Sequence, residues 1–215
     1  MDPRQLINGL ILYLGLLVLL TFHEFGHAWM ALKCGDDTAL AQGRVSLNPL
    51  VHIDLIGTVA LPLLLIFFAP GGFFVGWAKP VPVNPDNFRN PRADDIMVTL
   101  AGPWMNLLLA IVIMGLARLG LMLHSSSMVE VCVNTSHLSL LLCFFNLLPI
   151  PPLDGSHVAR SLIGMSYETY HQIARYGIFV LILVLQVPAV QHVLDTATSN
   201  SGLAIAGWFG VPLTT

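Results

Sequence analysis

Charged side chains are scarce in this chain. Asp, Glu, Lys and Arg together make up 10% of its 215 residues, whereas 55% of the residues are hydrophobic. A soluble globular protein carries about 25% charged residues, so this chain has too few charges to cover a surface that faces water. The composition therefore excludes a soluble enzyme. It predicts an integral membrane protein whose surroundings are the lipid bilayer.

Strong net charge and cysteine are lacking as well. The formal net charge is only −3 and the sequence has no basic run, which excludes nucleic acid as a partner. The three cysteines are an odd, widely spaced set without a CxxC pair, which argues against a disulfide framework and against a cysteine-ligated zinc site. Internal repeats and long polar stretches are also absent from the sequence. We therefore expect a single polytopic membrane domain over residues 1–215.

Five apolar segments approach the roughly 20 residues that a helix needs to cross a bilayer. They predict an all-α membrane protein with about five to six transmembrane helices, built as a core over about 6–165 and a C-terminal transmembrane helix over about 173–194. The second segment is short, so we expect it to leave and return to the same face together with 73–83, as a re-entrant or β-hairpin element. The segments are 6–22, 55–69, 96–117, 138–148 and 173–193, of which the last is interrupted at Pro188, and the apolar tail 203–213 is too short to assign.

The basic residues predict the orientation of these segments. If the first segment runs from outside to inside, seven of the nine Lys and Arg residues share one side, as the positive-inside rule requires of the cytoplasmic face. The seven are Lys33, Arg44, Lys79, Arg89, Arg92, Arg160 and Arg175, and the two on the opposite side are Arg4 and Arg118.

The first apolar segment runs into an HExxH motif, formed by His23, Glu24 and His27. Residues four apart lie on one face of a helix, so the two histidines can bind one metal ion. Zinc is the metal that this pattern indicates, and Glu24 is placed to act as general base on a water at the metal. Ionisable residues are costly inside a membrane helix, which favours function over packing.

A catalytic zinc site needs a third protein ligand, and Asp154 is the best candidate. It closes the fourth apolar segment, whereas most other acidic residues lie in polar loops. His27 and His23 lie about 9 and 15 Å along a helix from Lys33, and Asp154 lies six residues before Arg160, so all three approach the same face from just inside. The nearby prolines open the chain and allow a short loop to carry the carboxylate to the metal.

The two motifs together resemble the site-2 protease family of intramembrane zinc metalloproteases, peptidase family M50. The second motif is NxxPxxxLDG, which runs from Asn146 to Gly155, and the closest likeness is to the compact prokaryotic branch without PDZ or CBS domains. Three further stretches carry the resemblance, and together with the motifs they cover about 15–165. The stretches are Gly43–Pro49, Gly76–Asn84 and Ala101–Asn106.

The resemblance implies a site-2 protease-like catalytic core in the prokaryotic cell or inner membrane. The basic residues, together with the depths of the three candidate ligands, predict that the active site lies toward the cytoplasm. The resemblance implies one Zn²⁺ per chain, with His23, His27 and Asp154 as ligands and Glu24 as base. It also implies that Asn146 binds substrate, a role that suits an amide donor inside an apolar segment. The partner would be the transmembrane segment of a membrane-protein substrate, cut in regulated intramembrane proteolysis.

Several alternatives stay open at this point. Asn106 also lies inside an apolar segment, where contact between helices is the favoured interpretation. The pair His52 and Asp54 is interpreted as a local hydrogen-bonding unit rather than a metal site. A membrane zinc peptidase of another class would use a downstream glutamate, but Glu130 and Glu168 both lie outside the apolar segments. A catalytically silent pseudoprotease that only binds substrate is a further alternative, and a homo-oligomer is left open.

Overall fold

The computed structural model describes residues 3–68 and 76–213. They form nine α-helices and no β-strand, joined by short 3₁₀ turns and extended segments. The helices are α1 (Pro3–Cys34), α2 (Thr38–Ala41), α3 (Leu61–Phe68), α4 (Pro91–Met122), α5 (Ser126–Asn146), α6 (Asp154–Ile163), α7 (Tyr167–Ala174), α8 (Gly177–Leu185) and α9 (Pro188–Phe209).

Three of these helices, α1, α4 and α5, are long and apolar enough to cross a membrane. At 1.5 Å per residue the 32 residues of α1 or of α4 extend about 48 Å, which exceeds the roughly 30 Å hydrocarbon core of a bilayer. Their outer faces carry exposed apolar side chains such as Leu14 and Val112. The chain is a multi-pass membrane protein.

The number of spans is smaller than the sequence predicts unless shorter helices are counted. The described residues give three spans, or four if α8 and α9 together form one. A count of five also requires the shorter apolar helical stretch Leu55–Phe68 to cross the membrane.

The predicted C-terminal transmembrane helix over about 173–194 is wrong as a single helix. The chain ends α8 at Leu185 and starts α9 at Pro188, and the two helices meet at 81°. Proline has no N–H to continue the earlier helix but is well suited to the first turn of a new one. Helix α9 then runs through polar residues to Phe209, so it takes in most of the tail that the sequence left unassigned.

The predicted re-entrant or β-hairpin element is helical in its first half. Residues Leu55–Ala60 form π-helical turns that lead directly into α3, and the Asp54 carboxylate accepts hydrogen bonds from the first free N–H groups, those of Ile56 and Gly57. Residues 69–75, which include part of the predicted element, lie outside the described residues. Residues 76–84 are extended but form no strand, so the β-hairpin prediction is wrong for them.

Helix α4 is the central element and packs against α1, α5, α6 and α9. Small buried residues such as Ala110 and Ala117 let its neighbours approach closely. Serine hydroxyls of α5 add hydrogen bonds inside this apolar interior: Ser136 Oγ donates to Ala110 O at 2.9 Å, and Ser139 Oγ donates to Asn106 O at 2.6 Å. The pairing of α4 with α5 is therefore fixed by packing and by polar contacts.

The connection from α1 is tied to the segment before α4 through Asp36. Its fully buried carboxylate accepts hydrogen bonds from the Thr38 N–H and hydroxyl, the Asn84 N–H and the Asn87 amide. Burial alone would raise the pKa of this carboxyl, but the hydrogen bonds outweigh burial and hold the pKa below its usual value. These contacts fix the loops around the end of α1 that carries the HExxH motif.

Candidate metal centre

The structure brings the three predicted metal ligands together. His23 and His27 lie one turn apart on α1, and Asp154 is the first residue of α6. The Asp154 carboxylate lies 3.1 Å from His23 Nε2 and 3.4 Å from His27 Nε2, and the two Nε2 atoms are 3.1 Å apart. In the described chain this is the one group of three His, Cys, Asp or Glu residues whose ligand atoms all lie within 4.8 Å of one another.

The group is shielded from solvent. Both histidines are buried, and the Asp154 side chain is 19% exposed. A carboxylate between two imidazoles supplies the anionic oxygen ligand that a divalent cation needs.

Two glycines allow α1 and α4 to cross closely at this point. A Cβ atom on Gly26 would lie 2.7 Å from the carbonyl oxygen of Ala101. A Cβ atom on Gly102 would lie 2.2 Å from His27 Nε2 and 2.8 Å from His23 Cε1. The missing side chain of Gly102 therefore makes the space that the two imidazoles occupy.

Helix α4 also supplies partners for the outer ring nitrogens of the histidines. His27 Nδ1 lies 2.8 Å from the carbonyl oxygen of Val98, so this nitrogen carries the proton and Nε2 is left free as a ligand atom. Asn106 Nδ2 lies 3.2 Å from His23 Nδ1, and Asn106 is fully buried. The sequence interpretation of Asn106 as a contact between helices missed this position beside the metal centre.

The carboxylate of Glu24 is held by an extended segment. Its Oε2 accepts a hydrogen bond of 2.8 Å from the N–H of Val81. Because Pro80 and Pro82 have no N–H, Val81 carries the one backbone donor of these three residues. The segment thus presents a single amide to the predicted general base.

The same segment is fixed from its other side. Arg44 is buried and donates to the carbonyl oxygens of Lys79 at 2.7 Å and Pro80 at 3.3 Å. The N–H of Lys79 donates to His52 O at 2.9 Å, and the His52 ring contacts Ser46 O at 2.8 Å. His52 therefore serves local hydrogen bonding and Asp54 caps a helix, and neither belongs to a group of three possible metal ligands in the described part of the chain.

Asn146 lies at the end of α5, and its side chain turns back on its own helix. Its Nδ2 donates to Leu142 O at 2.9 Å. The structure records no hydrogen bond between Asn146 and the metal group within the described residues. A role in substrate binding stays a prediction.

A buried ion pair anchors α6, the helix that begins with Asp154. Arg160 Nη2 donates to Asp95 Oδ2 of α4 at 2.5 Å, and both side chains are less than 10% exposed. The Ser161 hydroxyl also donates to Asp95, and the Tyr167 hydroxyl donates to it at 2.8 Å. Burial and this hydrogen bond raise the pKa of Tyr167, which keeps the phenol protonated as a donor.

Replacement of Arg160 by methionine should therefore destabilise the protein by about 3–5 kcal/mol, because it leaves the Asp95 carboxylate buried without its counterion. Thermal unfolding of the detergent-solubilised protein measures the effect. The Arg175→Met variant, which removes an exposed arginine just after α7, is the matched control and should unfold like the wild type. Equal stability of the two variants would contradict this account of the anchor.

Comparison with protein families places the chain among peptidases. Residues 11–125 and 120–185 match the family described as Peptidase family M50. The matched residues make up well over half of the chain and include all three members of the metal group. No solved structure matches the chain.

Two curated bacterial proteins are similar over most of their length. The "Putative zinc metalloprotease YwhC" of Bacillus subtilis is 38% identical over 203 residues, which cover 89% of this chain and 86% of that protein. The "Putative zinc metalloprotease Rip2" of Mycolicibacterium smegmatis is 30% identical over 194 residues, which cover 88% of this chain and 72% of that protein.

Proposed function

This chain belongs to peptidase family M50, and from that premise we propose that it is an intramembrane zinc metalloendopeptidase that cleaves transmembrane segments of membrane-protein substrates. One observation carries the proposal. Two imidazoles and a carboxylate converge on a buried point beside Glu24, at the end of an apolar helix long enough to cross a membrane. The names of the similar bacterial proteins support zinc as the metal.

The residues present fit one zinc ion per chain. Imidazole nitrogen and carboxylate oxygen are ligands that zinc prefers, and three protein ligands leave a position open for water or substrate. Asp154 Oδ2 is buried and has only the His23 ring within reach among the described residues. Zinc bound there would supply Lewis acidity toward a peptide carbonyl and lower the pKa of a water molecule.

Glu24 would perform the proton transfers. Its carboxylate would take a proton from the attacking water as the water oxygen bonds to the peptide carbon. It would then deliver that proton to the leaving nitrogen as the C–N bond breaks, giving a carboxylate and an amine. The Val81 N–H would hold the carboxylate in place, and the chemistry would need no covalent intermediate with the enzyme.

The substrate must present an unwound backbone, because a helix occupies its own carbonyl groups. The extended segment 76–84 supports binding of such a peptide by strand addition. Trp77 and Lys79 already use their backbone groups toward Gly57, Thr58, His52 and Arg44. The backbone N–H and C=O of Ala78, between them, have no hydrogen-bond partner in the described chain, but the residue is only 8% exposed, so a substrate strand that pairs with them would first have to displace the side chains that cover Ala78.

Two alternatives have less support. A zinc peptidase with a downstream glutamate ligand would place Glu130 or Glu168 near the histidines, and neither belongs to the group around His23 and His27. A pseudoprotease would have no need of Glu24, which is present and positioned by a hydrogen bond.

The test of the proposal is cleavage in a defined membrane. The full chain and a model substrate with one transmembrane segment are reconstituted in liposomes, and the products are mapped by mass spectrometry. We expect zinc-dependent cleavage inside the apolar segment, lost with a chelator and restored by zinc. Cleavage only outside the segment, or cleavage that a chelator leaves unchanged, would contradict the proposal.

We further propose that the site opens to the cytoplasm, because α1, α4 and α6 bring it to the end of the bundle that carries Lys33, Arg92 and Arg160. In a chain whose native cysteines are replaced, cysteines at the exposed positions Gln42 and Asn90 should react with an impermeant thiol reagent only after the membrane is opened.

A cysteine at the exposed Ser127, at the other end of the bundle, is the matched control and should react in intact cells. The reverse labelling pattern would place the active site on the outer side.

A further inference from the structure

The two imidazoles of the metal centre differ in what fixes their protons. In each histidine Nε2 faces the shared point, so Nε2 is the ligand atom and Nδ1 is the outer atom. A ring nitrogen that binds zinc uses its lone pair, so the proton of the neutral ring must lie on the other nitrogen. For His27 the carbonyl oxygen of Val98 enforces this, because a carbonyl can only accept.

His23 has no such backbone acceptor. The hydrogen-bond neighbour of its Nδ1 is the side-chain amide of Asn106, at 3.2 Å. An amide carries an acceptor oxygen and a donor nitrogen, which exchange places by a half-turn about χ2. With Nδ2 toward the ring, Asn106 Oδ1 is buried without a partner among the described residues. The half-turn presents this oxygen to a protonated Nδ1 and frees Nε2 for the metal.

Packing does not explain this side chain. Asn106 is fully buried in an apolar helix, where an amide is costly unless it is used. The hydrogen bond that links α4 to α5 at this level uses the backbone oxygen of Asn106, which accepts from Ser139. Any residue at position 106 would keep that link, so contact between helices does not require an asparagine.

We infer that Asn106 is a positioning residue of the metal centre, whose amide oxygen accepts the Nδ1 proton of His23 and so holds His23 in the tautomer and orientation that bind zinc. The inference rests on the proposed zinc site and deepens it. Helix α4 would then supply the hydrogen-bond acceptor for the Nδ1 atom of both histidines. For His27 the acceptor is the backbone oxygen of Val98, and for His23 it is the side-chain oxygen of Asn106, which can rotate.

The test is the zinc dissociation constant of the purified full chain in detergent, measured by competition with a chelating dye. Asn106→Leu keeps the shape and removes both polar atoms, and we expect it to weaken zinc binding by about 10–100-fold. Asn106→Asp keeps an acceptor toward His23, and its affinity should equal or exceed that of the wild type. Ser139→Ala removes the α4–α5 hydrogen bond without touching His23, and it should bind zinc like the wild type.

Two results of these titrations would overturn the inference. If Asn106→Leu binds zinc as tightly as the wild type, the amide has no role, and if the Leu and Asp variants weaken binding equally, its role is packing. A wild type that binds no zinc would instead remove the proposed metal site itself, which distinguishes the two failures.

A measurement on the wild type avoids any folding defect of a variant. In the zinc-loaded protein with ¹⁵N-labelled histidine, the His23 signals, assigned by their loss in His23→Gln, should show a proton on Nδ1. Because zinc binding through Nε2 already requires a proton on Nδ1, a proton on Nε2 of His23 would overturn the ligand assignment on which the inference rests.

Discussion

Replacement of Glu24 by glutamine is expected to lower the rate of peptide cleavage by about 10²–10⁴-fold while zinc binding is retained. Glutamine has the same size, and its amide oxygen can still accept the Val81 hydrogen bond, so the local structure should persist. The amide cannot accept a proton from water, so only proton transfer is removed. Single-turnover cleavage of the model substrate, together with the zinc content of the same sample, measures both quantities.

The exposed Glu168 of α7 provides the matched control, because Glu168→Gln makes the same chemical change far from the HExxH motif. That variant should cleave like the wild type. A Glu24→Gln enzyme that retains near-normal turnover would remove Glu24 from the mechanism, while loss of zinc from it would assign Glu24 to metal binding.

Replacement of Gly102 by alanine should abolish the metal site with little effect on the rest of the fold. The added methyl group would lie 2.2 Å from His27 Nε2, and ordinary contact is about 3.5–4 Å, so the ring must move by more than 1 Å. A displacement of this size at a reacting centre costs about 10²-fold in rate. We expect both zinc content and cleavage to fall, because the atoms displaced are the ligands themselves.

Gly207 on α9 is the matched position, since a Cβ atom there would meet no atom within 4 Å. Gly207→Ala should keep full zinc content and activity. Normal zinc binding by Gly102→Ala would show that the imidazoles do not occupy the place that the structure gives them.

The core of the candidate site was predictable because it depends on short-range pattern. The spacing of His23 and His27 places them on one helical face wherever the helix lies. Their depth in the membrane matches that of Asp154, close to the face that carries most of the basic residues. The structure places these three residues together, as the sequence predicts. The role of Asn146 has no such local signature beyond an amide in an apolar segment, and it stays a prediction.

The contribution of α4 could not be read from the sequence. Gly102 and Asn106 matter because α4 crosses α1 at the level of the histidines, and that crossing is a property of tertiary packing. Their spacing of four residues in an apolar helix is the local signal that was available, but such a pattern is equally typical of ordinary helix packing.

The prediction of a single C-terminal helix over about 173–194 failed for a different reason. The sequence shows an interruption at Pro188, but the 81° change of direction there depends on how α9 packs against α5 and α4. The polar residues of α9 gave no sign of a membrane helix in the sequence. One of them, Thr198, is nevertheless buried inside the bundle.

The zinc content of the purified chain tests the central claim most directly, when the wild type is compared with Asp154→Ala by elemental analysis after dialysis against a weak chelator. The account predicts one zinc per chain in the wild type and a large loss in the variant, because two imidazoles alone leave the ion without its carboxylate ligand. A wild type without zinc, or an Asp154→Ala variant that keeps one zinc per chain, would contradict the metal centre formed by His23, His27 and Asp154.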